Sequence, residues 1–224
     1  MRHIAEGTDH LLFLLVLLLP APLLAVGARW ASPASVRHSL LHIVGIVTAF
    51  TVGHSLTLTL AAMNFVHVST RPVEVLIAVS ILVSAVHALR PIFPGREAWI
   101  AAFFGLIHGL AFASTLERLG LSRWVRVAGI LSFNLGIETM QMLVVALVLP
   151  SLLIMSRTRF YSVFRIGGAA FACVASTMWI VERLLGVQTP IDAVVNVAAQ
   201  RGFSCALTLF GMSLICLLFA KRPA

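Results

Sequence analysis

The residues of this chain that could do chemistry stand among apolar ones. Positions 3 to 12 read HIAEGTDHLL, so His3, Glu6, Asp9 and His10 present imidazoles and carboxylates directly before a run of leucines. Further on, His54 lies in FTVGHSL, His108 lies in FGLIHGL between Gly105 and Gly109, and FNLGIETMQM carries Asn134, Glu138 and Gln141. Imidazole suits Zn, Cu, Fe and Ni alike, so such a set points to a divalent transition metal without choosing one. Ionised acids beside it raise the local cation concentration before any ligand bond forms.

Spacing limits what each group can do. On an unbroken helix His3 and His10 point the same way but are roughly 10 Å apart along the axis. They could share an ion only if the backbone broke, and Gly7 is the residue that would allow it. The plainer alternative is that Thr8 or Asp9 caps the helix and His10 is interfacial. Asn134, Glu138 and Gln141 are four and three apart and project within one arc. Thr51 and Ser55 accompany His54, and Ser80, Ser84 and His87 share a face. A lone histidine among these can simply hydrogen-bond a serine or carbonyl of the next helix, and Asn134 and Gln141 can be interhelical glue. His38 and His42 are expected to be solvated in a loop.

These residues must be positioned by helices that cross a membrane. The 224 residues are 60% hydrophobic and 11% charged, whereas a soluble domain is about half apolar and about a quarter charged. The expected fold is all-α, a polytopic transmembrane bundle of six to seven spans forming a single domain over 1–224. Apolar runs place the spans at 8–28, 42–62, 72–89, 98–115, 127–155, 165–185 and 202–220. Between the last two, GVQTPIDAVVNVAAQRG is expected to lie along the interface. The leucine run of the first span is expected to face lipid. Glu6 and Asp9 spoil a signal peptide's positive start, and Pro20 and Pro22 interrupt its core, so no cleavage is expected.

The net charge of +8 would suggest nucleic acid in a soluble protein. Here the arginines fall mainly in short loops that set orientation. With the N-terminus outside, the inner loops hold Arg29, Arg37, Arg90, Arg96, Arg157, Arg159, Arg165, Lys221 and Arg222. The outer ones hold Arg2, Arg71, Arg118, Arg123, Arg126, Arg183 and Arg201. Nine against seven favours N-out and C-in. Cys173, Cys205 and Cys216 form no CxxC and are expected to be buried small hydrophobes.

In that topology His3, Asp9 and His10 form an entrance at the outer mouth. His54, His108 and Glu138, each eleven or twelve residues into its span, form a midplane site. Intramembrane ionisable groups are costly and mark ion paths. Glu6, Ser55, Asn134 and Gln141 would support these ligands from behind.

HIAEGTDHLLFLLVLLL, FTVGHSLTL, FGLIHGLAFA and FNLGIE together resemble the HupE/UreJ family of membrane proteins, in order, from residue 3 to about 141. The family's first-span pattern falls on His3, Gly7, Asp9 and His10. The resemblance implies a nickel permease, or a permease for another metal, with those positions taking part in uptake. The chain departs from the pattern in three places. Only two residues precede His3, so this is either a short form or a chain whose start lies upstream. Thr139 and Met140 stand where a Leu-Gly pair is expected, and 165–224 carry no recognised motif.

The leading expectation is therefore a multi-pass permease of the bacterial inner membrane, not an enzyme, with no tightly bound cofactor and a divalent metal ion, nickel by resemblance, as cargo. Its partners are membrane lipids and the ion, with no nucleic acid and with homo-oligomerisation left open. No GxxxxGK[ST] occurs, so transport would be passive or gradient-driven. Two rival readings use the same residues. One is an intramembrane zinc hydrolase in which Ser55 or Glu138 handles a water. The other is a bundle with non-covalent haem on His54 and His108.

Overall fold

A computed structural model describes residues 2–220 apart from 64, 67 and 119–122, with backbone alone for 2–7, 62, 112–118, 123, 124, 126, 127 and 220. Its elements are α1 (Arg2–Leu18), β1 (Leu23–Val26), β2 (Arg29–Pro33), α2 (Val36–Ala62), α3 (Thr70–Leu89), α4 (Glu97–Arg118), α5 (Arg123–Met155), α6 (Tyr161–Leu185), α7 (Ile191–Gln200) and α8 (Gly202–Ala220). The fold is an all-α membrane bundle carrying one small β-hairpin. Among the described residues, five helices, α2, α3, α5, α6 and α8, are long and apolar enough to cross a membrane.

The first span differs most from expectation. Pro20 and Pro22 cannot continue a helix, so α1 stops at Leu18 and residues 23–33 form the antiparallel hairpin. Gly27 turns it with φ +58, a value that an L side chain rarely adopts. Ala25 pairs with Trp30 and Val26 with Arg29. At its other end α1 begins before Thr8, so Thr8 and Asp9 are interior residues and neither caps the helix. Gly7 does not break it either. Residues 3 and 10 are thus seven positions apart on one continuous helix, roughly 10 Å along its axis. The side chains of His3 and Glu6 lie outside the described residues.

This short helix is the centre of the bundle. Leu12, Phe13, Val16 and Leu17 pack into a core with Ile46 and Phe50 of α2, Ile77 and Ile81 of α3, Phe104 of α4, and Ala172 and Trp179 of α6. Leu14 and Leu18 pack on the other side against Val145, Leu149 and Leu152 of α5. The leucine run is therefore core and does not face lipid, as expected for a helix that is apolar all round. Tyr161 donates from its hydroxyl to the Leu19 carbonyl and fastens the end of α1 to α6.

The helices α3, α4, α5, α6 and α8 begin at Thr70, Glu97, Arg123, Tyr161 and Gly202, beside the apolar runs from 72, 98, 127, 165 and 202, while α2 begins at Val36, before the run from 42. Ser35 caps α2 by accepting from the His38 N–H at 3.2 Å. The loop before α8 contains α7, whose Ile191 and Val195 join the core beside α1. Cys205 is exposed on α8 and Cys173 and Cys216 are half-buried. Cys173 of α6 packs against the core, whereas the expected burial fails for Cys205 because α8 presents most of its surface outward.

The α2–α4 contact is the closest in the molecule. A Cβ at Gly53 would run into the Ala102 carbonyl, one at Gly105 into the Phe50 carbonyl, and one at Gly109 into the His54 carbonyl and the Thr57 hydroxyl. Three glycines thus let two backbones touch, as small residues do in membrane bundles.

Candidate functional site

His10, His54 and His108 meet where α1 crosses the α2–α4 contact. The His10 and His108 rings have centroids 4.5 Å apart, and those of His10 and His54 are 5.7 Å apart. His108 Nδ1 lies 3.2 Å from His10 Nε2. His54 and His108 are fully buried and His10 is half-buried. Phe13 and Phe50 wall the cluster, with ring centroids 5.0 and 5.2 Å from that of His108. Of the expected mouth residues His10, and of the expected midplane residues His54 and His108, thus share one cluster. The reason is the position of α1: with bounds at 2 and 18, residue 10 is at the middle of its helix and not at the edge.

A serine sets the tautomer. Ser80 of α3 donates its one hydroxyl proton to the Ile77 carbonyl at 2.7 Å. Its oxygen lies 2.9 Å from His108 Nε2 and, with the hydroxyl proton on the Ile77 carbonyl, accepts from that nitrogen. His108 then carries its proton on Nε2, and its Nδ1 lone pair is aimed at His10, which donates from Nε2. The assignment follows from the hydrogen-bond network, since protons are inferred and not seen. Two ligand nitrogens, each about 2.1 Å from one tetrahedral ion, lie about 3.4 Å apart, close to the 3.2 Å between these two atoms. Among the described residues no three His, Cys, Asp or Glu already stand in a metal-holding geometry. The rings are packed edge to face and would have to turn to converge on one ion.

Asp9 is not an open-mouth carboxylate. It is 4% exposed and its Oδ2 accepts from Arg183 Nη2 of α6 at 2.6 Å. Asp9 Oδ1 and Arg183 Nη1 are buried without hydrogen-bond partners among the described residues. Arg183 also lies over the Trp179 ring, 5.5 Å from its centroid, and Trp179 donates to Asp192 of α7 at 2.7 Å. Arg183 is thus no loop residue: α6 runs to Leu185 and carries it into the bundle.

From α5, Asn134 lies beside His54, and Phe133 stacks on the same ring with centroids 6.4 Å apart. Asn134 Oδ1 is buried with no hydrogen-bond partner among the described residues. Gln141 accepts from the Thr51 hydroxyl at 3.3 Å, so it joins α5 to α2 as interhelical glue. Glu138, between them on the helix, is half-buried and forms no hydrogen bond or ion pair with any described residue. At Ser55 only the backbone carbonyl is engaged, by Thr59 at 2.7 Å.

A second polar cluster lies at the hairpin end. Glu97, the first residue of α4, stands between His42 Nε2 of α2 at 3.4 Å and His87 Nε2 of α3 at 3.6 Å. His87 Nδ1 accepts from the Ile92 N–H at 3.2 Å, and its ring stacks on Phe93 at 3.8 Å. Trp30 of the hairpin donates to the His87 carbonyl at 2.9 Å. His42 is therefore paired, contrary to the expectation of plain solvation, because α4 begins against α2 and brings a carboxylate to it.

Sequence reasoning missed Arg183 and Glu97 and did not single out Ser80 from its helix face. The signal for Arg183 was present: a buried carboxylate such as Asp9 demands a cation, but the arginine is 174 residues away. Glu97 follows a proline-rich turn and reads as a loop residue.

A family model described as HupE / UreJ protein matches residues 1–183. The match runs beyond the motifs, which end near residue 141, and takes in most of α6. No match was found among curated proteins or among solved structures. With more than three quarters of its length covered by that model, this membrane protein belongs to the HupE/UreJ family.

Proposed function

We propose that the protein is a permease of the bacterial inner membrane that passes a divalent transition-metal ion, nickel, through the cluster of His10, His54 and His108. The observation that carries this reading is the meeting of three imidazoles from three helices, two buried and one half-buried, with the Ser80 hydroxyl against His108 Nε2. A neutral imidazole ligates through its unprotonated nitrogen, so His108 offers Nδ1, and His10 Nε2 becomes a ligand once its proton moves to Nδ1. The family supports metal as the cargo, and nickel rests on that family alone.

The ligand nitrogens act in sequence. His10, the least buried of the three, takes the ion. His108 follows through Nδ1 while Ser80 holds its Nε2 proton. His54 completes the set with Asn134 beside it. Asp9 orients the site from α1, its charge balanced by Arg183, and Asp9 Oδ1 remains to attract the cation. His3, Glu6 and Glu138 stay candidates for the path on either side.

The rival readings find less support. Among the described residues, Glu138 and the Ser55 hydroxyl, which would handle a hydrolytic water, form no hydrogen bond or ion pair with the histidines. A haem plate between His54 and His108 would have to part α2 from α4 where their backbones touch.

Uptake of radiolabelled nickel at low external concentration, in cells expressing the protein, tests the proposal. His10→Ala and His108→Ala should each lower uptake at least tenfold at unchanged protein levels. Uptake equal to wild type in both variants would remove the permease site from this cluster.

A further inference from the structure

A cavity of 480 Å³ opens at the hairpin end of the bundle, away from the three histidines, and is lined by Ala28, Arg29, Trp30, Leu89, Arg90 and Arg165. We propose that it binds the phosphate group of an anion, which an anionic phospholipid headgroup or free phosphate could each supply.

Three guanidiniums from three elements share this one space: Arg29 from the hairpin, Arg90 from the end of α3 and Arg165 from the first turns of α6. Among the described residues none of the three forms an ion pair: the ion pairs join His42 and His87 to Glu97 and Arg183 to Asp9. Arg29 and Arg90 are exposed and Arg165 is buried, so an anion in the cavity would meet two mobile guanidiniums over one fixed one.

Arg165 supplies the independent sign. It is 8% exposed. Its Nη1 donates to the carbonyls of Ala88 and Leu89, which end α3, while its Nε is buried with no hydrogen-bond partner among the described residues. Nε is closed off from solvent, and the two carbonyls fix the guanidinium in place. A guanidinium fixed in the wall of a cavity is preorganised for a phosphate, whose oxygens match the planar fork.

The wall chemistry favours a lipid source. Trp30 has its N–H committed to the His87 carbonyl, so its ring serves as apolar wall together with Leu89 and Ala28. Tryptophan beside basic groups is the pattern of a membrane interface, and basic pockets between spans take anionic headgroups. The volume lies within the range of small-ligand pockets.

The test uses the full chain purified in a sugar-headed detergent. It is titrated separately with phosphatidylglycerol, phosphatidylcholine and inorganic phosphate, with retained ligand read by native mass spectrometry. Phosphatidylglycerol should be retained in preference to phosphatidylcholine. Arg29→Gln with Arg90→Gln, both exposed positions, should weaken retention at least tenfold, since each basic side chain near the surface is worth about fivefold. If the double variant does not fold, Arg29→Gln alone decides, with about a fivefold loss. Inorganic phosphate that binds with the same arginine dependence, while the lipid does not, assigns the site to free phosphate. Phosphate that competes with the lipid shows that the headgroup phosphate is what is read. No retention of either probe, or equal retention by wild type and variant, overturns the proposal.

Discussion

Ser80 is the residue on which the proposed site turns, because its single proton decides which nitrogen of His108 is free. Ser80→Ala removes the acceptor for His108 Nε2–H and lets the ring adopt the other tautomer. Partners of this kind are worth about 10- to 100-fold in metal affinity. Nickel binding by the purified variant, measured by titration calorimetry, should fall by that factor, and an unchanged affinity would remove Ser80 from the site. Asp9 makes a contrasting prediction. Asp9→Asn leaves Arg183 buried and uncompensated, and breaking a buried pair costs about 3–5 kcal/mol. Unfolding in detergent should record a loss of that size, with part of it restored by Asp9→Asn together with Arg183→Gln. An edge carboxylate free to meet ions would give almost no loss. The types and spacing of His10, His54 and His108 were legible in the sequence as site candidates. Their depth was not, because depth depends on where α1 begins and ends, and Pro20 and Pro22 allow either a kinked long span or a stop.

At the scale of elements, the α2–α4 contact holds two of the three histidines in place. Gly105→Ala would drive a Cβ into the Phe50 carbonyl, and Gly109→Ala one into the His54 carbonyl. Neither obstacle is a flexible side chain, so the helices must separate. Overpacking of this kind costs about 1–3 kcal/mol and shifts His54 relative to His108. Gly45→Ala and Gly136→Ala meet nothing within 4 Å and should be neutral or stabilise by up to about 1 kcal/mol through helix propensity. Thermal unfolding of the four variants checks the contrast, and four equal outcomes would contradict the contact. The sequence did show Gly105 and Gly109 flanking His108 as a place for close approach. Phe50 and His54 of FTVGHSL have the same spacing as Phe104 and His108 of FGLIHGL, a match that by itself carries no weight in a chain this rich in Phe and Leu. In the fold the two segments face each other. The hairpin at 23–33 and helix α7 were hidden because both are short, and only packing against the longer helices fixes them.

For the whole molecule, length and hydrophobicity alone identify a helical membrane bundle, since little else is compatible with this composition. Orientation is a weaker inference, resting on nine basic residues against seven. A reporter fused after Lys221 should read cytoplasmic, and a periplasmic reading would reverse the bundle or remove one span. What composition could not show is that α1, shorter than the helices it packs against from α2 to α6, sits in the middle with them around it. That arrangement turns an apparent mouth residue, His10, into a partner of His54 and His108, so one ion could touch all three. The central claim is that these imidazoles are the ligands of the transported metal, and X-ray absorption at the nickel edge of the loaded, purified protein tests it most directly. The account predicts an imidazole multiple-scattering signature from about three rings, which loses one ring in each of His10→Ala, His54→Ala and His108→Ala. A spectrum of oxygen ligands only, or one that none of the three substitutions changes, would contradict it.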